Sequence, residues 1–393
     1  MDFDIQWLLI GLPAAFMLGW LASRLDQRQW RRDRRDAPRA YFDGLNLLLN
    51  EQQDKAIDAF IEAVQHDPDT TELHFALGNL FRRRGEFERS VRVHQHLLSR
   101  ADLKPVDRDR AQHALAQDFA KAGLFDRAEQ AWRALLDTEY DGEARLALLA
   151  LFERSRDWDQ AAAMADELED RGGGSFATRI AHYRCEQALD EQAAGRVDRA
   201  RDVLAGAIAL APDAPRPRLQ AGQLARESGD LKTALAHWEV LRGLDPARFA
   251  LIATDYARTA VQIGVDQSAR DAIDDAYLRE PLLETLRARD QLDRACARAD
   301  GAAHPPTEEG VRRRLRHLEH RPSLGAAAEV LAIDTAGWQP DTQAQLLGAV
   351  QRAAAPLQRY RCAACGFMAH HYFWQCPGCQ GWDTFPPRPL EQQ

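Results

Sequence analysis

The chain has 393 residues and a net charge of −9, with 45% hydrophobic and 28% charged residues. This length is enough for two or three domains, and the composition predicts a folded chain that is soluble over most of its length. Six cysteines are too few for a secreted scaffold held by disulfides, and the negative charge argues against nucleic-acid binding by bulk electrostatics. Few aromatic residues and frequent alanine favour packed helices over a large β-domain.

The first element in chain order is an apolar run over residues 5–25. As a helix it would be about 31 Å long, at ~1.5 Å per residue, which matches the hydrocarbon core of a bilayer. Acidic residues precede the run, and six arginines follow it between positions 24 and 35. Basic residues stay on the cytoplasmic side. We therefore predict a transmembrane anchor over 1–25 with a periplasmic amino terminus, followed by a basic juxtamembrane linker over 26–40.

A cleaved signal peptide and a buried soluble helix are the alternatives to this anchor. A signal peptide carries a basic segment before its apolar run and a small-x-small cleavage site after it. Here the preceding residues are acidic and the basic cluster follows the run. The anchor is the favoured interpretation, and the bulk of the chain is then expected in the cytoplasm.

The middle of the chain, residues 41–281, contains a repeat with a period of 34 residues, as in Gly195 and Gly229 or Ala200 and Ala234. Each unit is predicted to be two antiparallel helices, with small residues where they cross, glycine in the turn and proline after the second helix. One unit cannot bury its own apolar face, so the units stack. These residues at this period resemble the tetratricopeptide repeat family. The resemblance implies binding of peptides or domains, although the sequence names no partner-contacting residue.

After residue 281 the period fades, and residues 282–358 are predicted to form further helices. A basic run over 312–316 lies among glutamates, which favours a solvated helix face over an RNA site. Cys185 and Cys296 stand alone in helical contexts, where small core residues are more common than nucleophiles.

The carboxyl-terminal segment, residues 359–387, contains two Cys-x2-Cys pairs separated by ten residues. The candidate metal ligands are Cys362, Cys365, Cys376 and Cys379. Each pair offers two thiolates from one tight turn, and the two pairs complete a tetrahedron around one metal ion. Four thiolates leave no open position for water, so the predicted site is structural rather than hydrolytic.

This segment, with its many aromatic residues, resembles the rubredoxin-like zinc ribbons. Zinc and iron both suit four thiolates. We expect zinc, and iron with an electron-transfer or redox-sensing role is the alternative. His370 and His371 are not expected to be ligands, because the four cysteines suffice. The small module has little core, so the metal should supply much of its folding free energy, and we expect the ribbon to dock on the last helices.

The sequence contains no recognisable catalytic motif. It has no HExxH, no GxSxG and no glycine-rich phosphate loop, and the predicted metal site is closed. We therefore predict an all-α binding scaffold that is not an enzyme and has no catalytic residues. A nucleic-acid-binding ribbon is the weakest alternative, since the segment carries few basic residues.

The order of anchor, repeats and terminal ribbon is similar to that of the lipopolysaccharide assembly protein B family (LapB or YciM). The resemblance is carried by DGLNLLLNEQQDKAIDAFIEA near the start and by YRCAACGF and WQCPGC near the end. It implies an adaptor in the Gram-negative inner membrane that regulates lipopolysaccharide (lipid A) synthesis. It also implies that the adaptor promotes degradation of the deacetylase LpxC by the protease FtsH. The sensor YejM (PbgA) and the lipopolysaccharide transport machinery are further implied partners, and a homodimer stays open.

Overall fold

The computed structural model describes residues 17, 46–47, 50, 52–66, 70–299, 308–333 and 340–392. The predicted anchor over 1–25, except Met17, and the linker over 26–40 lie outside these residues. Within the described ranges, no helix combines the length and the apolar character that a membrane span requires.

The described residues are mostly helical. In chain order the helices are α1 (Gln53–His66), α2 (Thr71–Arg84), α3 (Phe87–Ser99), α4 (Pro105–Lys121), α5 (Phe125–Arg133), α6 (Asp141–Ser155), α7 (Trp158–Asp170), α8 (Ala177–Ala193), α9 (Val197–Leu210), α10 (Pro215–Glu227), α11 (Leu231–Leu244), α12 (Pro246–Phe249), α13 (Ala253–Ile263), α14 (Asp266–Arg279), α15 (Leu283–Ala299), α16 (Glu308–His320), α17 (Leu324–Ile333) and α18 (Pro340–Ala354). Two short strands follow, β1 (Tyr360–Arg361) and β2 (Met368–Ala369).

Successive helices pack as antiparallel pairs, among them α2 with α3, α8 with α9 and α10 with α11. The predicted glycine turns are confirmed, because Gly123, Gly195 and Gly229 have φ between 75° and 83°. Only glycine adopts this left-handed conformation without a steric cost. The turn between α6 and α7 differs, since Arg156 takes this conformation with φ 59°.

The chain divides into two compact units, Met1–Phe152 and Glu153–Gln393. In the first unit one core cluster lies between α1 and α2 around Phe60 and Phe81, and a second joins α2, α3 and α4 around Phe75 and Leu97. In the second unit a large core cluster of the described residues surrounds Trp238. The Trp238 ring packs so closely on Gly222 that a Cβ atom at this glycine would clash with it. The small and large residues of the repeat thus interlock where the helices cross.

The basic run on α16 is only partly the solvated face that we expected. Arg312 and Arg316 are exposed. Arg313 and Arg314 instead turn inward and pair with Asp290 on α15. The correction has a simple cause: consecutive residues of a helix point in different directions, so one basic run supplies both surface charge and an interhelical ion pair.

Both isolated cysteines lie on helices. Cys185 is fully buried on α8, and burial raises the pKa of its thiol to about 12. A thiol that stays protonated is a poor nucleophile, so the expectation of a core residue is confirmed. Cys296 is half-buried and contacts Asp266, with Sγ 3.3 Å from a carboxylate oxygen.

Candidate metal centre and its docking surface

The four cysteines lie in two turns of the carboxyl-terminal ribbon. Strands β1 and β2 pair in antiparallel fashion, with Tyr360 opposite Ala369, and they frame the first turn. A single bridge between Gln375 and Trp382 frames the second turn. This small sheet holds the two pairs of thiols at adjacent positions.

The two turns share one hydrogen-bond pattern. In the first turn, the Cys362 N–H donates to the Phe367 carbonyl over 2.9 Å. In the second turn, the Cys376 N–H donates to the Gly381 carbonyl over the same distance. The residue that follows the second cysteine of each pair has a left-handed backbone conformation: Gly366 with φ 77° and Gln380 with φ 59°. Gln380 carries a Cβ atom in a conformation that favours glycine, so the second turn is the more strained.

The sulfur positions fit one tetrahedral metal ion. All four Sγ atoms lie within 4.8 Å of one another. The Cys362–Cys379 and Cys365–Cys376 Sγ distances are 3.8 Å and 3.7 Å. A tetrahedron with metal–sulfur bonds of ~2.3 Å has edges of about 3.8 Å. The structure therefore brings together the predicted ligands in the arrangement of a closed tetrathiolate site.

The hydrogen-bond donors around Cys362 favour its thiolate, whereas burial and contact with the Cys362 sulfur raise the pKa of the Cys365 and Cys376 thiols. Burial by itself raises the pKa of the Cys362 thiol, but hydrogen bonds from the Thr384 side chain and from the Cys365 and Ala364 N–H groups outweigh it and lower this pKa to about 6. The Gly378 N–H points at the Cys376 sulfur over 3.3 Å. Because metal ligands must be deprotonated, the donors around Cys362 prepare that thiol to bind a cation.

Trp382 is the central contact between the ribbon and the helices. Its indole ring stacks on His182 of α8, with 4.7 Å between ring centroids. Its N–H donates to Glu153 of α6 over 2.9 Å. Glu153 also accepts hydrogen bonds from Tyr183 and Arg179. One buried carboxylate thus joins the ribbon to two helices.

Asp383 adds an ionic contact beside this stack. Its carboxylate lies 2.7 Å from His182 Nε2 and accepts a hydrogen bond of 3.0 Å from Arg248. Burial lowers the pKa of His182, although the hydrogen bond to Asp383 opposes this shift. His182 is therefore neutral at pH 7 and donates its Nε2–H to the carboxylate. Its Nδ1 is buried and has no partner among the described residues.

Trp374 completes the docking surface. It packs against the core cluster of α10–α15. The guanidinium groups of Arg216 and Arg248 lie 5.7 Å and 5.3 Å from its ring centroid, within cation–π distance. Arg248 also donates to the Tyr372 hydroxyl over 3.3 Å. Arginines and aromatic rings thus alternate along the contact.

The expected docking surface, the last helices, was only part of the observed one. The main contacts of the ribbon lie on α6, α8, α10 and α12, and the chain after the ribbon reaches the last helices, where the Gly325 N–H of α17 donates to Glu391 over 3.0 Å. A signal for the larger surface was present in the sequence. His182, Arg216 and Arg248 stand 34 and 32 residues apart, so three successive repeats each contribute one polar residue from a nearby position, with Arg248 two residues out of register. Repeat period and residue type together would have identified this row.

Two family models match the chain. One, described as a rubredoxin metal binding domain and specific to the LapB zinc ribbon, matches residues 360–387. The other, described as a tetratricopeptide repeat, matches residues 73–108. Lipopolysaccharide assembly protein B from Escherichia coli strain K12 is 30% identical, over 98% of this chain and 98% of its own length. This chain belongs to the LapB family.

A more distant LapB relative is also similar over the full length. Lipopolysaccharide assembly protein B from Haemophilus influenzae strain Rd is 26% identical over 98% of both chains. Among solved structures, a tetratricopeptide repeat protein from Parabacteroides merdae aligns with 66% of this chain and 98% of its own, at 15% identity and a TM-score of 0.33. The two LapB relatives and the two family models confirm the family resemblance stated from the sequence, the helical repeats and the terminal ribbon.

Proposed function

We propose that this chain acts in lipopolysaccharide assembly as a scaffold without catalytic chemistry of its own. The observation that carries the proposal is its relationship, over 98% of both chains, to lipopolysaccharide assembly protein B. The site supports it, because a closed set of four thiolates has no open coordination position for a substrate.

The bound metal would be zinc and would act as a cross-link between the two cysteine turns. Cys362 and Cys376 are buried beneath it, and Cys365 and Cys379 close it from the exposed side. Held in this way, the second turn presents Trp382 to the helices. The ribbon then braces successive repeats and keeps them in one arrangement for partner binding.

The scaffold is proposed to act at the inner membrane, with residues 5–25 as a single span, the amino terminus in the periplasm and the bulk in the cytoplasm. Confinement to a membrane raises the effective concentration of a bound client near other membrane proteins. By family resemblance the client is LpxC and the protease is FtsH. The sensor YejM (PbgA) and the lipopolysaccharide transport machinery are the further proposed partners.

The first prediction tests this tethering. Deleting residues 1–23 should leave a folded protein that binds LpxC in solution but no longer shortens the LpxC half-life in cells, because client and protease no longer meet at one surface. Pulse-chase measurement in a strain that lacks the chromosomal copy checks this. An unrelated single span of the same orientation is the matched control and should restore turnover. An LpxC half-life that is unchanged by the deletion contradicts the tethering mechanism.

A further inference from the structure

A cleft of about 400 Å³ lies between the ribbon and helices α6–α8 and α10. Its walls include Arg156, Trp158 and Arg216 from the helices and Phe373, Trp374 and Gln380 from the ribbon. Ligand sites are common at such junctions, and this volume is at the small end of their range. It suits one or two side chains of a peptide better than a whole cofactor.

Two residues that line this cleft have a left-handed backbone conformation at positions where glycine is usual. Among the described residues, four non-glycine residues have positive φ, and Arg156 and Gln380 are two of them. Neighbouring repeats place Gly195 and Gly229 at the turn position of Arg156, and the first cysteine turn places Gly366 at the position of Gln380. Backbone strain that collects around one cavity is typical of ligand-binding sites.

The charges around the cleft favour an anion. Arg154, Arg156 and Arg216 contribute three guanidinium groups to its lining, against the carboxylates of Glu153 and Glu186. Both carboxylates are already engaged, Glu153 with Trp382 and two α8 residues and Glu186 with Arg216. Arg156 is exposed and forms no ion pair with any residue that the structure describes. Its side chain is available to a carboxylate from outside.

The remaining wall is aromatic. Phe373 leaves 36% of its surface exposed, and Trp374 and Trp158 line the cleft beside it. An aromatic wall next to a cationic rim is complementary to an apolar side chain followed by an acidic one. Nucleic acid is a poor fit, because the chain carries a net charge of −9.

We propose that this cleft binds a peptide segment of a partner protein in which an aromatic or large aliphatic residue stands beside an acidic residue. The apolar side chain contacts Phe373 and Trp374, and the carboxylate accepts hydrogen bonds from Arg156. This site deepens the scaffold function proposed above and rests on it. The peptide contacts ribbon and helices together, so its binding also stabilises the docked ribbon.

The test uses the purified full-length protein and two pools of fluorescein-labelled, amidated octapeptides. One pool has a fixed central Phe-Glu and the other Phe-Gln, with all residues except cysteine at the other positions. Fluorescence anisotropy should show that the Phe-Glu pool binds about tenfold more tightly, as expected for one charge-assisted hydrogen bond.

Three substitutions assign the difference to the cleft. Arg156→Gln and Arg156→Gly should both abolish the preference for Phe-Glu. Arg156→Gly should also melt at or above the temperature of the parent, since glycine relieves the left-handed backbone. Asp137→Gly is the matched control, because Asp137 has φ 63° but does not line the cleft, and it should bind both pools like the parent.

Equal binding of the two pools, or an undiminished preference in Arg156→Gln, would overturn the proposal. A labelled single-stranded oligonucleotide that binds more tightly than the Phe-Glu pool and is lost in Arg156→Gln would overturn it as well. Because the peptide assay needs neither cells nor lipopolysaccharide, its failure leaves the LpxC half-life experiment standing. A failure of that experiment likewise leaves the peptide result intact.

Discussion

The helical repeats and the ribbon bury very different residues. Around Trp238 the helices of the second unit bury a continuous cluster of alanine, leucine, isoleucine and aromatic side chains. The buried cluster of the ribbon consists of Cys362, Cys376 and Phe385, and two of these three are candidate metal ligands. Apolar burial can stabilise the helices alone, whereas we expect the ribbon to depend on a bound metal and on its neighbours.

The orientation of the ribbon's aromatic residues follows from this difference. Trp374 and Trp382 have no core of their own to fill, and both pack on the helices instead. Burial that a small domain cannot achieve internally is thus obtained at a docking surface. We therefore expect ribbon folding and ribbon docking to be coupled, and three experiments test that link.

The largest effect is expected from removal of the metal site. Replacing Cys362 and Cys365 by Ser should unfold the ribbon, since structural zinc contributes about 10 kcal/mol to such modules. Amide exchange on α8 and α10 should become faster, while α1–α3, which lie in the other unit, should keep their protection. Metal analysis and hydrogen–deuterium exchange measure these outcomes.

Cys296→Ser is the control for this substitution, because Cys296 lies on α15 and is not part of the sulfur cluster. It should keep one zinc ion per chain and a colourless spectrum. A red, redox-active parent protein would contradict the assignment of zinc and support iron. Unchanged exchange on α8 in the double variant would contradict the bracing role of the ribbon.

A smaller effect is expected from Trp382→Ala. This change removes the stacking on His182 and one hydrogen bond to Glu153. The ring is only half-buried, so we expect a loss of about 2–3 kcal/mol, below the ~3–5 kcal/mol of a core tryptophan. The midpoint of chemical denaturation measures it. Met368→Ala, at a ribbon position with 52% exposure, should change the midpoint little. The zinc content of Trp382→Ala should stay at one ion per chain. Loss of zinc from this variant would show that docking and metal binding cannot be separated.

The smallest effect is expected from pH. His182 faces Asp383, Arg216 and Arg248, and burial lowers its pKa below the ordinary value of 6.5. His182 binds a proton more readily when the ribbon is undocked, because its pKa is then higher than in the docked state. Protonation therefore favours undocking, and the docked state loses stability as the pH falls from about 7 through 6.5 towards the lowered pKa. A proton on Nδ1 would have no acceptor among the described residues.

Amide exchange on α8 at pH 7.5 and pH 5.5, corrected for intrinsic rates, measures this pH effect. We expect faster opening at the lower pH. His182→Gln, which keeps a neutral hydrogen-bond donor, should remove most of the difference. A pH dependence that persists in His182→Gln would assign it to another group.

Local spacing along the chain determined much of this protein. The 34-residue period predicted the paired helices and the left-handed turns at Gly123, Gly195 and Gly229, and the cysteine spacing predicted the cluster of four sulfur atoms. These features depend on residues close in sequence, whose geometry is set by helix pitch and by tight turns. The family resemblance followed from the same patterns.

Only the tertiary structure decided where the ribbon docks. His182 and Asp383 are 201 residues apart, and no local rule relates them. Their contact depends on how the stacked helices present equivalent positions of successive repeats side by side. Packing of α16 on α15 buries Arg314, and packing of the ribbon on the repeats forms the cleft at Arg156. Sequence alone predicted the parts because each follows a short-range pattern of residues, whereas the surface between them exists only after several repeats have packed.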